Sequence, residues 1–452
     1  MNEKKIGRAL PSASGPTTTE PAYVQLDASV RADPLKCLRL LAEHGDIVRY
    51  PTSYGPVYLI NEADGARRVL QSGNYVRGST LKLVLGEGLL ASDGPYWRRQ
   101  RRLMQPAFHQ QRVAGLDGVI TGVAAEMLGR WREFSASGQP VDVASEMPRL
   151  TLRIIAKALF SVDLNDRLDA VSGAVTQLDE ELGRFASMLF TAPPQMSLAR
   201  NRRFETALRE VDRVVQNIIV GRRGSDEKID DWLGLLLSHR GKEDGKGLTD
   251  RQIRDEAVTM LLAGHVTTAN ALSFTWYLLA RHPAVEARVH DEVDRVLGRR
   301  VPTARDIPEL RYTRMVLHES LRLYPPVWFI SRKAVADDVV GGCRIPTGAA
   351  VVVSPYLMHR HPAYWKDPER FDPERFALEG AADRSDHAYL PFGTGQHACI
   401  GAHLAMLEGQ LILATVAQRY KLGLAQQTVV EPEPALTLKV RDRLPMILQD
   451  RL

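Results

Sequence analysis

The chain has 452 residues, with 59 Lys and Arg against 54 Asp and Glu, a formal charge of +5. Its 44% hydrophobic and 25% charged residues are the balance of a folded globular protein, which excludes a largely disordered or collagen-like chain. Three cysteines, Cys37, Cys343 and Cys399, are too few and too far apart for a disulfide framework and point to a reducing compartment.

Residues 1–21 are rich in Ser, Thr, Pro and Gly and lack the apolar run of a signal peptide, so a mobile tail is expected. Residues 22–452 show neither linker nor repeat and are expected to form one domain. Residues 46–51 and 55–60 alternate apolar and polar positions about a turn and predict a hairpin. Apolar residues at helical spacing predict helices over 96–108, 119–133, 148–160, 168–190, 201–221 and 229–238.

Residues 257–280 then hold no Asp, Glu, Lys or Arg, a length that could span a bilayer. Thr259, His265, Thr267, Thr268, Asn270, Ser273 and Thr275 argue instead for a long helix buried in protein. It would start at the N-cap candidates Thr249 and Asp250 and stop before His282-Pro283. Helices follow over 284–297 and 312–323. Beyond Pro325-Pro326, Gly and Pro turns around Val351, Val352 and Val353 predict short strands. A last helix runs from 402 to about 420, with weak strand signals after it. The fold class is mainly α with small β sheets.

Four blocks carry chemistry. In Phe392-Gly-Thr-Gly-Gln-His-Ala-Cys399-Ile-Gly401, glycines permit tight turns and close approach to a flat ligand. Backbone N–H groups and the following helix N-terminus would stabilise a thiolate. Such a thiolate can ligate haem iron and favour O–O cleavage. In Trp97-Arg-Arg-Gln-Arg101, Trp97 and Arg101 share one helix face. Glu319 and Arg322 stand at i, i+3; taken alone, they would be a solvated pair worth little. Ala263-Gly-His-Val-Thr-Thr268 puts a glycine inside a helix, a cost of ~1 kcal/mol that calls for a reason.

With these blocks in this order, the chain resembles the cytochrome P450 family of haem-thiolate monooxygenases over nearly its whole length after the tail. The resemblance implies that family's fold, a single large domain enclosing haem b, with Cys399 as axial iron ligand. It implies Trp97, Arg101, His397 and Arg332 as partners of the haem propionates, with Phe392 beside the haem. Ala263 and Gly264 would leave room for dioxygen, and Thr267 and Thr268 would hold water or oxygen. Glu319 and Arg322 would join the Arg of a Pro-Glu-Arg-Phe loop in a buried structural network. Arg375, in Pro373-Glu-Arg-Phe376, is preferred over Arg370 in the copy five residues earlier. No metal beyond haem iron is expected, and His359 and His361 are read as solvent-facing or backbone-bonded.

The implied reaction inserts one oxygen atom of O2 into an apolar or mixed organic substrate, using two external electrons. They would come from NAD(P)H through a reductase and a ferredoxin or flavodoxin, docking at Arg98, Arg99 and Arg102. The expected protein is a soluble, cytoplasmic, bacterial-type monomer of secondary metabolism, bound to neither membrane nor nucleic acid. Substrate is expected against residues 75–90, 185–190, 260–263 and 327–330. One residue departs from the family pattern: Val266 stands where an acid usually precedes the Thr, and His265 is a weak substitute. This keeps open an enzyme of oxidative coupling, dehydrogenation or isomerisation. A haem-based carrier or sensor is the third reading.

Overall fold

The computed structural model describes residues 19–451 apart from 28–29, 31–32, 53–54, 79, 165–166, 188, 191–197, 226, 228, 241–246, 378–384 and 427. Most of the expected tail, residues 1–18, lies outside the described residues. Thr19 is already paired, its N–H donating to Gly342 O at 3.0 Å, so the folded body reaches back before residue 22.

Among the described residues, nine helices of eleven residues or more build the body: α1 (Gly94–Met104), α2 (Asp117–Ser137), α3 (Val143–Phe160), α4 (Leu168–Ser187), α5 (Leu198–Arg223), α6 (Asp250–Arg281), α7 (Pro283–Leu297), α8 (Arg311–Leu323) and α9 (Ala402–Arg419). The helical spacing anticipated each of them. α3 starts five residues earlier than expected because Pro148, which reads as a first-turn residue, stands inside the helix. The short helices Pro34–Ala42 and Ala63–Gln71 were not anticipated. In the first, the Asp33 side chain accepts the Leu35 and Lys36 N–H groups and Pro34 opens the helix, a start signal on a segment too short to show its period.

α6 is the axis. Its 32 residues span about 48 Å. A reciprocal cap starts it: Gln252 N–H donates to Thr249 Oγ1 (3.3 Å) and Thr249 N–H to Gln252 Oε1 (2.9 Å). Among the described residues this one helix is long and apolar enough to cross a membrane, and most of it is buried in the protein. α3 packs along it more extensively than any other helix.

The strands are short: β1 (Ala22–Tyr23), β2 (Ile47–Thr52), β3 (Gly55–Ile60), β4 (Tyr75–Val76), β5 (Val141–Asp142), β6 (Ile330–Ala334), β7 (Asp338–Val340), β8 (Cys343–Ile345), β9 (Ala350–Val353), β10 (Tyr420–Leu424), β11 (Pro432–Pro434), β12 (Leu438–Val440) and β13 (Pro445–Asp450). The largest sheet runs β1-β2-β3-β9-β6-β4. The predicted hairpin is there, antiparallel from Ile47 opposite Ile60 to Thr52 opposite Gly55. β10-β13-β5, β11-β12 and β7-β8 form the small sheets. One apolar core joins Val24 to Leu448 through the helices, and a lesser one lies against the large sheet.

Candidate functional site

The cysteine loop is shaped by two left-handed glycines, Gly393 (φ 67°) and Gly395 (φ 71°). A side chain at 395 would also come within 2.9 Å of Gln71 Cγ. The loop closes when Cys399 N–H donates to Phe392 O at 2.9 Å. Cys399 is accessible, yet burial pushes its thiol pKa up, opposed by the Gly401 N–H and the Arg101 charge. A thiol both accessible and desolvated faces a cleft inside the molecule. Metal ligation there must displace the thiol proton, and those two groups favour that.

Beside it stands a cationic cradle. Trp97 and Gln100 point inward from α1 and Arg101 is half-buried, while Arg98, Arg99 and Arg102 face out. Arg101 Nη1 donates to Ala398 O at 2.9 Å. The His397 ring lies 4.1 Å from that of Trp97, and its Nε2 is 3.2 Å from Asp93 Oδ1. Arg332, on β6, donates to Ser331 O at 2.9 Å. Arg77, which the sequence reading missed, donates to Leu89 O at 2.6 Å, and its N–H donates to Asp93 Oδ2 at 2.8 Å. Burial, together with the Arg332 and Arg101 charges, lowers the Arg77 pKa to about 10 despite Asp93. Burial also lowers Arg101, Arg332 and His397. Trp97 Nε1 and His397 Nδ1 are buried without a hydrogen-bond partner. Three guanidiniums around one carboxylate, with two orphan ring nitrogens, make a site short of negative charge and of acceptors. A flat macrocycle bearing two carboxylates fits that deficit.

Behind the cysteine loop, Glu319 and Arg322 of α8 are fully buried. The pair is bidentate at 2.6 and 2.7 Å, and Arg322 also donates to His359 O (2.8 Å), Pro368 O (2.6 Å) and Arg370 O (3.0 Å). Asp372 N–H donates to Glu319 Oε1 at 2.8 Å. Of the two candidate arginines, Arg375 lies against Glu319, with Nε 3.5 Å from Oε1, whereas Arg370 is exposed. His359 carries the tie onward: Leu390 N–H donates to its Nε2 (2.8 Å), and its Nδ1 lies 3.2 Å from Arg322 O. Burial and the Arg322 charge hold His359 neutral, near pKa 3. His361 Nε2 lies 3.3 Å from Asp46 Oδ1.

On α6, Leu262, Ala263, Gly264, Val266 and Thr267 are partly accessible, although nearly every residue on either side of them is buried. Thr267 Oγ1 donates to Ala263 O at 2.8 Å, so its lone pairs remain free to accept. Thr268 is buried. A Cβ on Gly264 would meet Ile155 Cδ1 at 2.8 Å, so the glycine lets α3 pack closely against α6. His265 is fully buried without a close side-chain partner, and desolvation holds its pKa near 4. That neutral, enclosed ring does not replace the acid missing at 266. Glu256, also missed, ties the cleft together, accepting Leu89 N–H at 2.9 Å and Gln100 Nε2 at 3.2 Å.

Phe190 and Met260 are buried. Phe190 belongs to an aromatic cluster with Trp328 and Phe329, ring centres 5.4 Å away in each case. The side chains of 185–188 lie outside the described residues.

The cytochrome P450 family model matches residues 24–447. The chain is 37% identical to cyclooctatin synthase of Streptomyces melanosporofaciens, over 90% of this chain and 89% of that protein. It is 35% identical to cyclooctat-9-en-7-ol 5-monooxygenase of the same organism, over 95% and 93%. Among solved structures, the haem domain of cytochrome P450DA superposes with a TM-score of 0.86 at 28% identity, covering 96% of this chain and 99% of that one. With a desolvated thiol beside an anion-deficient cradle, and kinship running nearly end to end, the chain belongs to the cytochrome P450 family and is a haem-dependent monooxygenase that uses dioxygen.

Proposed function

We propose that this enzyme oxygenates a polycyclic terpenoid, with haem b held at Cys399. The observation that carries the substrate class is the end-to-end similarity to cyclooctat-9-en-7-ol 5-monooxygenase, joined by pentalenene oxygenase of Streptomyces avermitilis, 33% identical over 92% of this chain. The accessible stretch of α6 supports it, since Leu262, Ala263 and Val266 offer shape and no charge.

Bound there, haem supplies dioxygen activation, with thiolate donation favouring O–O cleavage. The chain's own groups do the rest. Cys399 ligates the iron. Trp97, Arg101, Arg332, His397 and Arg77 hold the propionates, and Phe392 closes the cysteine loop. Glu319, Arg322 and Arg375 fix the segments leading to it. Thr267, with Ala263 O as its acceptor, orders water beside the reacting position, and Thr268 packs behind it. Val266 carries no proton, so protons reach Thr267 through water. Electrons come from NAD(P)H through a reductase and a ferredoxin or flavodoxin. The exposed Arg98, Arg99 and Arg102 suit an acidic carrier. The working form is a cytoplasmic monomer.

The test is turnover of the holoenzyme with ferredoxin, its reductase and NADPH under isotopically labelled dioxygen, on a panel holding cyclooctat-9-en-7-ol, pentalenene and a fatty acid. One labelled oxygen atom in a terpenoid product is expected. A haem spin-state shift and labelled product with the fatty acid alone would overturn the substrate class. Thr267→Ala is expected to divert electrons to peroxide, read as product formed per NADPH consumed. Unchanged coupling would remove Thr267 from the proton path.

A further inference from the structure

Three elements meet at the Thr437 side chain. Its hydroxyl donates to Asp179 Oδ1 on α4 and accepts from Asn270 Nδ2 on α6, both at 2.9 Å. Thr437 N–H donates to the same carboxyl oxygen at 3.1 Å, and Leu436 N–H to Asp179 O at 3.2 Å. Asp179, Thr437 and Asn270 are all buried. One turn beyond Asp179, a Cβ on Gly183 would lie 2.3 Å from Leu436 N, so glycine lets the β11-β12 tip seat against α4. From another side, Trp328 Nε1 donates to Ala435 O at 3.0 Å and Leu438 N–H to Pro326 O at 2.8 Å. Asn270 follows Val266 by one turn on the same face of α6. The hairpin tip therefore joins α4 to the helix face that carries Val266 and adjoins Thr267.

We propose that Thr437 is a positioning residue that locks α4 and the hairpin tip beside the Ala263-to-Thr267 stretch, and so sets how bulky a molecule the cleft retains and for how long. The inference rests on that stretch being the substrate side of the haem cleft. The joint is made of side-chain hydrogen bonds and one carboxyl, without a buried ion pair. Burial raises the Asp179 carboxyl to about 7. Against that burial, the Thr437 hydroxyl and N–H and the charge of Lys439 on the hairpin lower it, while Glu180 on α4 raises it.

The holoenzyme is loaded with imidazole or with the bulkier phenylimidazole, two haem-iron ligands, and release is followed by stopped-flow absorbance. Thr437→Val is expected to speed phenylimidazole release about tenfold, leave imidazole release unchanged, and be reversed in Thr437→Ser. Equal acceleration of both probes, or of neither, overturns the proposal. Asn270→Leu removes the donor to the Thr437 hydroxyl and serves if Thr437→Val fails to hold haem, with the same selective acceleration of phenylimidazole expected and equal acceleration of both probes overturning the proposal. The carbon monoxide spectrum of the reduced wild type reads the Cys399 ligand alone, and so separates failure of the haem-site reading from failure of the lock.

Discussion

The two walls of the cleft are fastened by different chemistry. Behind Cys399 the tie is a fully buried ion pair, Glu319–Arg322, anchored to three backbone carbonyls and to Asp372 N–H. Across the cleft, the loop before α1 and the hairpin tip are held mostly by dispersed hydrogen bonds, among them those to the carboxyls of Glu256 and Asp179, both raised by burial to about 7. A buried pair that loses one partner costs several kcal/mol, whereas a hydrogen bond exchanged with water costs about one. The wall that presents the iron ligand is thus built to stay, and the wall that a substrate must pass is built to yield.

The sharpest way to break the contrast is Arg322→Ala. It leaves Glu319 with only the longer Arg375 contact at 3.5 Å and should cost ~3–5 kcal/mol, read as a lower urea midpoint and loss of haem on gel filtration. A loss under about 1 kcal/mol would make the pair no stronger than a surface one. Next comes Trp97→Phe, which removes one orphan donor from the cradle while keeping its bulk. Haem transfer to apomyoglobin should quicken about ten- to hundredfold, as for a charge-assisted bond of ~1.5–3 kcal/mol. Arg99→Ala, on the outward face of the same helix, should leave it unchanged.

Glu256→Gln probes the yielding wall through pH. The carboxyl ionises near 4.5 when unfolded and near about 7 in the fold, so the folded state holds its proton longer. The stability this gives is complete below 4.5 and is lost as pH rises through about 7. The wild-type urea midpoint, relative to Glu256→Gln, should fall across that window. Hydrogen exchange should quicken in residues 86–104 and not in α8. A flat difference would show that Glu256 does not gate this wall. The smallest effect is reserved for Arg370→Ala, within about 0.5 kcal/mol, against a measurable loss for Arg375→Ala. Equal losses would erase the distinction between the two Pro-Glu-Arg-Phe copies.

What could be read from the chain divides along the same line. The long helices, the hairpin at 46–60 and the four blocks were legible because their signals are local: apolar period, turn residues, fixed spacing. Arg77, Asp93 and Glu256 were not. Asp93 precedes Gly94-Pro95 like an N-cap, yet its carboxyl serves Arg77 and His397, the latter 304 positions away. Glu256 sits among the charged residues at the start of α6, and only the fold brings Leu89 and Gln100 to it. Thr437 carries no motif at all. Gly264 was legible as a glycine needing a reason, but its approach to Ile155, a neighbour 109 positions earlier, was not.

That last contact bears on how such an enzyme could diversify. Positions 263 and 264 are adjacent in one motif but answer to different constraints. Residue 264 faces the packing of α3 against α6, where an added methyl would press on the end of the Ile155 side chain. Residues 263 and 266 stand on the accessible stretch, where a methyl more or less reshapes the cleft without parting the helices. New substrates can therefore be acquired by drift at 263 and 266 around a fixed 264, so the glycine keeps the motif recognisable while its neighbours change what the enzyme accepts.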